Sequence, residues 1–286
     1  MDRILFGDNQ FFGVNHMSEE KARAQSMKFR DTKAIMRVLD TAYDEGIKTF
    51  MCTTHDRIGE VADIVRADPA RYSEFTFYPG MPYAHKYANA VGELGIMGTL
   101  KKFAPGSVIG TMFRGAMAGI TQDAVELMKM LVDAEMKRFA GTKTPVIFLQ
   151  NVVTDLLLGF DMHDMFKEFH DYVAEKYQAE AGFFTMNTPK MVDILHGVGI
   201  ENPIICSNIN KIGFRMCGGV DAYVETLKTK QFRPIAMSVY ASGAINPEEA
   251  IKWVCELPKL EAIVFGASSK QNIVGTRELV EKYWKF

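Results

Sequence analysis

Short runs of apolar, β-branched and aromatic residues alternate along this chain with longer stretches that repeat apolar residues every three or four positions. Eight of the short runs have the length and composition of buried strands. They lie at 4–6, 48–52, 74–78, 145–150, 182–186, 203–207, 233–239 and 261–265. Strands that alternate with helices in this way predict a parallel sheet, because each parallel connection needs a long crossover.

The longer stretches follow the 3.6-residue period of amphipathic helices. The clearest lie at 31–46, 123–141, 165–182, 188–199 and 246–258. Helix signals mark their ends, since Asp31 precedes the first stretch, Gly46 closes it and Asn246 opens the last. Eight strand–helix units in 286 residues fit a (β/α)8 TIM barrel better than two doubly wound domains. We therefore predict an α/β fold with one barrel domain over residues 1–286.

Residues 80–120 break the regular alternation, because they are too long and too rich in glycine for a simple connection. They follow the third predicted strand, so we expect an inserted loop or flap within the barrel domain. The stretch SVIGTMF within them suits an extra strand. Long insertions after barrel strands often act as lids.

Composition and charge narrow the class of partner. A net charge of −2 argues against nucleic acid, which would require a basic surface, and favours a small neutral or anionic metabolite. The first residues are charged, and no run approaches the roughly 18 apolar residues of a membrane span. We expect a cytoplasmic protein without a membrane partner, and a homo-oligomer is compatible with the sequence. The four cysteines form no CxxC pair, so neither a zinc site nor a disulfide framework is predicted.

In a barrel of this kind the site lies where the strands end, which selects candidate residues by position. Histidine is suited to acid–base work near neutral pH, and a flap would bring further titratable groups over the pocket. The catalytic candidates are His55, Asp56, Tyr83, His85 and Lys86. Amide, carboxylate and hydroxyl groups at other strand ends suit a hydroxylated substrate, and these candidates are Asp8, Asn9, Gln10, Gln150, Asn151, Asn187, Asn210, Lys211 and Tyr240.

Structural alternatives accompany these candidates. His55 or Asp56 would also serve as the cap of the next helix, or would pair with Arg57. Lys211 would form a Schiff base if its pKa were lowered inside the barrel, bind a phosphate or carboxylate, or remain solvated. A metal would require Asp8, His55, Asp56 and His85 to converge, and no HxH or HExxH spacing supports one.

The segment AIVFGASSKQ ends an apolar run in a glycine and continues into serines and a lysine. A strand that turns there into a helix leaves backbone N–H groups unpaired, and these groups attract anions together with the helix dipole. An N-cap and a tight turn would use the same residues. The candidate anion or cofactor contacts are Gly266, Ser268, Ser269, Lys270 and Arg277.

Three segments resemble the aldo-keto reductase superfamily. They are DTAYDEGIKTF with Gly59 and Glu60 opening the next helix, MSVYASGAINPEEAIKWV, and above all AIVFGASSKQN. The resemblance implies the same barrel and the cofactor NADP, whose adenine nucleotide phosphate is held by the last two strands and the helix start that follows them. It also implies an Asp, Tyr, Lys and His tetrad, from which this chain departs at every position. The corresponding places hold Met51, the segment 53–57, Phe77 or Tyr78, and Gln150 or Asn151.

The sequence therefore predicts a small-molecule enzyme and leaves its reaction open. One version is a diverged NADP-dependent oxidoreductase for a polar hydroxylated or phosphorylated carbonyl or sugar-type substrate, favoured by the GASS segment. Another is a cofactor-free isomerase, aldolase or lyase that uses His55 and Asp56, favoured by the lost tetrad. A non-catalytic ligand-binding barrel is the third, and polar residues at nearly every strand end argue against it.

Overall fold

Eight parallel strands close into a barrel in the order in which they occur in the chain. The computed structural model describes residues 1–13, 18–83 and 122–284. The barrel closes where Leu5 of the first strand pairs with Val264 of the last. The strands are β1 Ile4–Phe6, β2 Thr49–Thr53, β3 Thr76–Met81, β4 Val146–Leu149, β5 Glu180–Thr185, β6 Ile204–Asn208, β7 Arg233–Met237 and β8 Ala262–Phe265. Each overlaps one of the eight predicted runs, and the predicted fold class is confirmed.

Ten α-helices lie in the described part of the chain. They are α1 Glu19–Lys28, α2 Thr32–Asp44, α3 Asp56–Ala67, α4 Gln122–Met136, α5 Asn151–Gly159, α6 Asp164–Tyr177, α7 Thr188–Gly197, α8 Gly219–Thr229, α9 Pro247–Cys255 and α10 Lys270–Tyr283. The helix predicted at 165–182 was too long. Gln178 takes a left-handed backbone conformation with φ of 50°, which ends α6, and β5 begins at Glu180.

Alternate strand residues point into the barrel and fill it. Leu5, Met51, Tyr78, Phe148 and Val264 belong to this inner cluster. The interior is therefore a packed core rather than a pore.

Two glycines make room for two large rings in this interior. The rings of Phe148 and Phe184 lie 4.8 Å apart between their centroids. A Cβ on Gly182 would lie 2.3 Å from the Phe148 ring, and one on Gly80 would lie 2.7 Å from the Phe184 ring. Real Cβ atoms do not approach other atoms so closely, so this layer requires glycine at both positions.

The outer faces of the strands pack against the helices. Phe77 lies on this side, with its ring 5.5 Å from that of Phe139. Tyr78 is therefore the residue of β3 that faces the interior, where burial raises its pKa to about 12. Together with Met51, it occupies the inner wall at the places where the resemblance implied an acid and a lysine.

Charged residues close the amino-terminal end of the barrel. Arg233 at the start of β7 donates to Glu261 at 2.7 Å and to Glu180, at the start of β5, at 2.5 Å. At the same end of the barrel, Thr49 Oγ1 at the start of β2 donates to Oδ2 of Asp2, which precedes β1, at 2.6 Å. Bonds at this end join strands and do not face the usual site end of a barrel.

The predicted insertion lies between the end of β3 at Met81 and the start of α4 at Gln122. His85, Lys86 and the possible extra strand SVIGTMF fall outside the described residues. The single-domain arrangement and the flap stay predictions. Among the described residues, no helix is long and apolar enough to cross a membrane.

Candidate functional site

Asp8 lies two residues beyond β1 and is buried at the carboxyl end of the barrel. Its Oδ2 accepts hydrogen bonds from Thr53 N and Thr53 Oγ1, each at 2.7 Å. Burial raises the pKa of this carboxyl group, and the bonds from Thr53 oppose that rise. The carboxylate is thus fixed across the ends of β1 and β2, in a setting that favours proton uptake.

His55 lies two residues beyond β2 and caps α3. Its Nδ1 accepts from Arg57 N at 3.1 Å. Burial lowers the pKa of the imidazole below its ordinary 6.5, and the nearby Arg57 charge lowers it further. The ring is therefore neutral at pH 7. With Nδ1 as the acceptor, the ring proton is assigned to Nε2, which is left as a donor.

Two aromatic rings frame His55. Phe12 stacks on the imidazole at 4.2 Å, and Tyr83 meets it edge-on at 5.6 Å between centroids. Burial raises the pKa of Tyr83, and the negative charge of Asp8 raises it further. The structure therefore brings together three of the predicted residues, Asp8, His55 and Tyr83.

Glu135, on α4, also reaches this site, although the sequence analysis did not select it. Its side chain is 2% exposed and accepts from Thr54 Oγ1 and from Tyr83 N, the latter at 3.2 Å. A signal was present in the pattern, because a carboxylate stands on the same buried helix face as Val132 and Met136. Phe12, the second residue that was missed, carried no such signal.

A third carboxylate, Asp155 on α5, lies at the end of β5. It accepts from Thr185 Oγ1 at 2.6 Å and from Met186 N at 3.1 Å, and burial raises its pKa. Asp8, Glu135 and Asp155 therefore share one arrangement: each accepts from a threonine hydroxyl and a backbone N–H near a strand end.

Asp56 lies apart from the three converging groups. Its side chain is 72% exposed and pairs with Arg138 at 2.5 Å. Asp56 also stands in the first turn of α3, where the helix dipole favours an acid. A catalytic part for Asp56 stays a prediction.

Four further members of the nine predicted substrate-binding residues bond through their side chains to other parts of the protein. Asn187 caps α7, and both amide atoms of Asn210 bond to the backbone of Phe214 in the same loop. Lys211 pairs with Glu249 at 2.6 Å, and the Tyr240 hydroxyl bonds to Thr276 Oγ1 at 2.8 Å. The remaining members, Asn9, Gln150 and Asn151, follow β1 and β4. Substrate contact by this set stays a prediction.

Gln10 lies against the end of β8. Its Nε2 donates to Gly7 O at 2.8 Å, and among the described residues its buried Oε1 has no hydrogen-bond partner. A Cβ on Gly266 would lie 2.0 Å from that oxygen, so only glycine allows the approach. Gln10 Oε1 is therefore an acceptor at the junction of β1 and β8, next to Gly266, which is one of the predicted cofactor contacts.

A cavity of about 250 Å³ lies at the start of α10. Ser269 caps this helix by accepting from Asn272 N at 3.3 Å. Three cationic side chains line the cavity together with Ser268 and Ser269, and they are Lys28, Arg37 and Lys270. Positive charge and free N–H groups at a helix start are suited to a phosphate group.

Glu45 forms ion pairs with two of the cationic side chains in this region. Lys270 lies 3.3 Å from its Oε1, and Arg277 lies 3.4 Å from its Oε2. Lys28 Nζ donates to Ser268 O at 3.0 Å. Of the predicted cofactor contacts, Ser268, Ser269 and Lys270 line the cavity, whereas Arg277 faces Glu45.

The described residues do not assemble a metal site. Across 1–13, 18–83 and 122–284, no three His, Cys, Asp or Glu side chains come together in a way that would hold an ion. His85, which the sequence analysis considered as a ligand, falls outside these ranges.

Solved structures that match this chain include aldo-keto reductases. A Pseudomonas aeruginosa protein assigned to them matches with a TM-score of 0.62 at 11% identity, over 99% of this chain and 91% of that one. A thermostable aldo-keto reductase in complex with the inhibitor epalrestat matches at 0.58 and 10%, over 98% and 90%. An aldo-keto reductase from Bacillus halodurans in its holo form matches at 0.55 and 12%, over 98% and 86%.

At these identities the likeness shows the fold. The chain is an aldo-keto-reductase-like barrel, as the resemblance of its segments predicted. No protein-family model matches the sequence, and no curated protein matches it.

Proposed function

We propose that this barrel is an oxidoreductase-type enzyme that acts on a small polar carbonyl or hydroxylated substrate at the carboxyl end of its strands. The observation that carries the proposal is the convergence of Asp8, His55 and Tyr83, with a neutral imidazole whose Nε2–H is a donor. The likeness of the fold to aldo-keto reductases supports the reaction class. The three residues stand in for a tetrad that the chain does not carry.

His55 donates a hydrogen bond from Nε2–H to the carbonyl oxygen of the substrate, and the reduced oxygen takes its proton from solvent. A neutral imidazole suits this task, because it stabilises negative charge that develops on the oxygen without first giving up a proton to solvent. Tyr83 keeps its proton because its pKa is raised, so its hydroxyl supplies a second hydrogen-bond donor beside the imidazole of His55. Asp8 accepts from a substrate hydroxyl group, which favours polyol-like or sugar-like molecules.

NADP(H) is the cofactor that we propose, and when bound it would supply or accept the hydride. Lys28, Arg37 and Lys270, with the start of α10, would hold a phosphate of the nucleotide. Gln10 Oε1 is a buried acceptor without a partner among the described residues, and a cofactor or substrate N–H or hydroxyl would satisfy it.

A cofactor-free isomerase or lyase is the second candidate, because of the setting of Asp8. A buried carboxyl with a raised pKa beside a neutral donor is an arrangement that moves a proton next to a carbonyl group. The pairing of Lys270 with Glu45 also favours this version, since it occupies one of the three cations that a nucleotide phosphate would use.

Titration with NADPH and NADP decides between the candidates. We would follow nicotinamide fluorescence and thermal stability, because a ligand that binds the native state raises the melting temperature. Micromolar binding that weakens in Lys28→Gln supports the oxidoreductase, and Lys211→Gln is the control with the same charge change away from the cavity. If neither nucleotide binds, the oxidoreductase proposal falls. Exchange of substrate C–H for deuterium, lost in His55→Asn, would then support the isomerase.

A further inference from the structure

The end of α4 and the 3-10 turn Lys137–Phe139 that follows it hold the chain on both sides of His55. Glu135 accepts from the hydroxyl of Thr54, the residue before His55. Arg138, one turn further on, bonds to Asp56, the residue after it, at 2.5 Å to the carboxylate and 3.4 Å to the backbone carbonyl. The position of the imidazole is therefore set from a helix that lies far away in the sequence.

Glu135 also holds the residue whose ring meets His55. Tyr83 N donates to both carboxylate oxygens at 3.2 Å. One side chain thus bonds to the two backbone segments that carry the facing rings of His55 and Tyr83, which lie 5.6 Å apart. A contact with β2 alone, or with β3 alone, would fix one ring and leave the other free to shift.

A carboxylate is a costly group to use here for packing alone. Glu135 is 2% exposed, and a buried charge destabilises the fold unless strong hydrogen bonds compensate. An apolar side chain would fill the same volume on the helix face of Val132 and Met136 at lower cost. The hydrogen bonds that Glu135 accepts explain why a carboxylate stands at this buried position, whereas packing alone does not.

We propose that Glu135 is a positioning residue that sets the separation and orientation of His55 and Tyr83. The inference rests on the proposed function for its catalytic meaning, although its geometric content stands by itself. Glu135 does not touch the substrate. It acts through Thr54 and the backbone of Tyr83, so its loss moves the donors without removing them.

The test compares Glu135→Gln with Glu135→Met. Glutamine keeps both bonds, because its amide oxygen accepts from Tyr83 N while its NH₂ donates to the Thr54 hydroxyl. Methionine fills the space and keeps neither bond. The readout is the NMR cross-peak between the ring protons of His55 and Tyr83, assigned from His55→Asn and Tyr83→Phe.

We expect the cross-peak in wild type and Glu135→Gln, and its loss in Glu135→Met. With a substrate in hand, kcat should fall in Glu135→Met by up to about 100-fold, the cost of small misplacement of catalytic groups, with KM less affected. Arg233→Met at the opposite end of the barrel is the control for lowered stability, and it should keep the cross-peak.

A second pair keeps the test open if Glu135→Met does not fold. Thr54→Val removes one of the two bonds, whereas Thr54→Ser keeps the hydroxyl. An unchanged cross-peak in folded Glu135→Met, or in Thr54→Val, overturns the proposal. Failure of the proposed function looks different: His55→Asn would then leave turnover and ligand binding unchanged, while the cross-peak would still report on Glu135.

Discussion

The imidazole of His55 has two duties that fall on different atoms. Nδ1 accepts from Arg57 N at the start of α3, whereas Nε2 remains a donor. The cap holds the ring in one tautomer, and burial keeps it uncharged. Structure and chemistry therefore depend on the same side chain, and a substitution must separate them before either is measured.

The variants His55→Asn and His55→Ala separate these duties. Asparagine is a favourable cap, so His55→Asn should unfold at nearly the wild-type urea concentration, while His55→Ala loses about 1 kcal/mol. Both variants lack the Nε2–H donor, so both should lose turnover. Urea unfolding and steady-state rates measure the two effects. Wild-type turnover in His55→Asn would rule out the donor role.

Asp8→Asn should change how stability depends on pH. The native pKa of Asp8 is raised above its ordinary value of 3.8, so its contribution to stability is fully present below that value and is lost as pH rises through the native pKa. The melting temperature of Asp8→Asn relative to wild type should therefore be higher at pH 8 than at pH 4. Asp63→Asn, on the exposed face of α3, is the control. An equal difference at both pH values would contradict the assigned cause.

Position after a strand was enough to predict Asp8, His55 and Tyr83 as neighbours, because barrel strands end at one rim. The same rule also selected Asn187 and Asn210, whose amides cap a helix and hold a loop. Polar residues that build loops and those that face a ligand have the same sequence signature. The rule did not reach Glu135, because a residue at the far end of a helix is not a strand end.

At the scale of elements, α5 shows how burial departs from polarity. Its buried positions include Thr154, while Val152 and Leu156 are 47% and 53% exposed. The helix lies against the end of β5, held by Asp155, and buries Leu158 beside Thr154. No helix was predicted there, because apolar residues lie on its exposed face as well as on its buried face.

The start of α10 offers a test of the anion cavity. Glu45 draws Lys270 and Arg277 toward itself, so Glu45→Gln should release Lys270 and leave Arg277 paired with Glu281. We expect tighter binding of inorganic phosphate or NADPH, by up to about fivefold, since an ion pair whose lysine lies at the surface contributes about 0–1 kcal/mol. Glu249→Gln, which releases only Lys211, is the control. Calorimetric titration measures both, and equal affinities would place the anion elsewhere.

At the scale of the whole molecule, the alternation of short and long segments was enough to predict the closed barrel. Seven crossovers without a linker leave few other ways to bury eight apolar strands. The strand boundaries were less predictable, as β3 shows. The predicted run ended at residue 78, whereas the strand continues through Pro79 and Gly80 to Met81. Proline and glycine usually end strands, but here both lie within a strand of the closed sheet.

The amino-terminal end of the barrel should contribute to stability alone. Arg233→Met leaves Glu261 and Glu180 without their partner, so the free energy of unfolding should fall by about 1–3 kcal/mol. Ligand affinity at the other end should not change. Urea unfolding and nucleotide titration of the same sample check both statements, and a lower affinity would indicate coupling between the two ends.

The layer of Phe148, Phe184, Gly80 and Gly182 has a consequence for how this barrel evolves. Gly182→Ala alone places a methyl group in the Phe148 ring, and we expect a loss of stability of about 1–3 kcal/mol. Phe148→Leu should recover part of that loss, and a double-mutant cycle measures the recovery. Because neither position tolerates the first step alone, related sequences should exchange volume between the two strands as a correlated pair, with a larger residue at 182 accompanying a smaller one at 148.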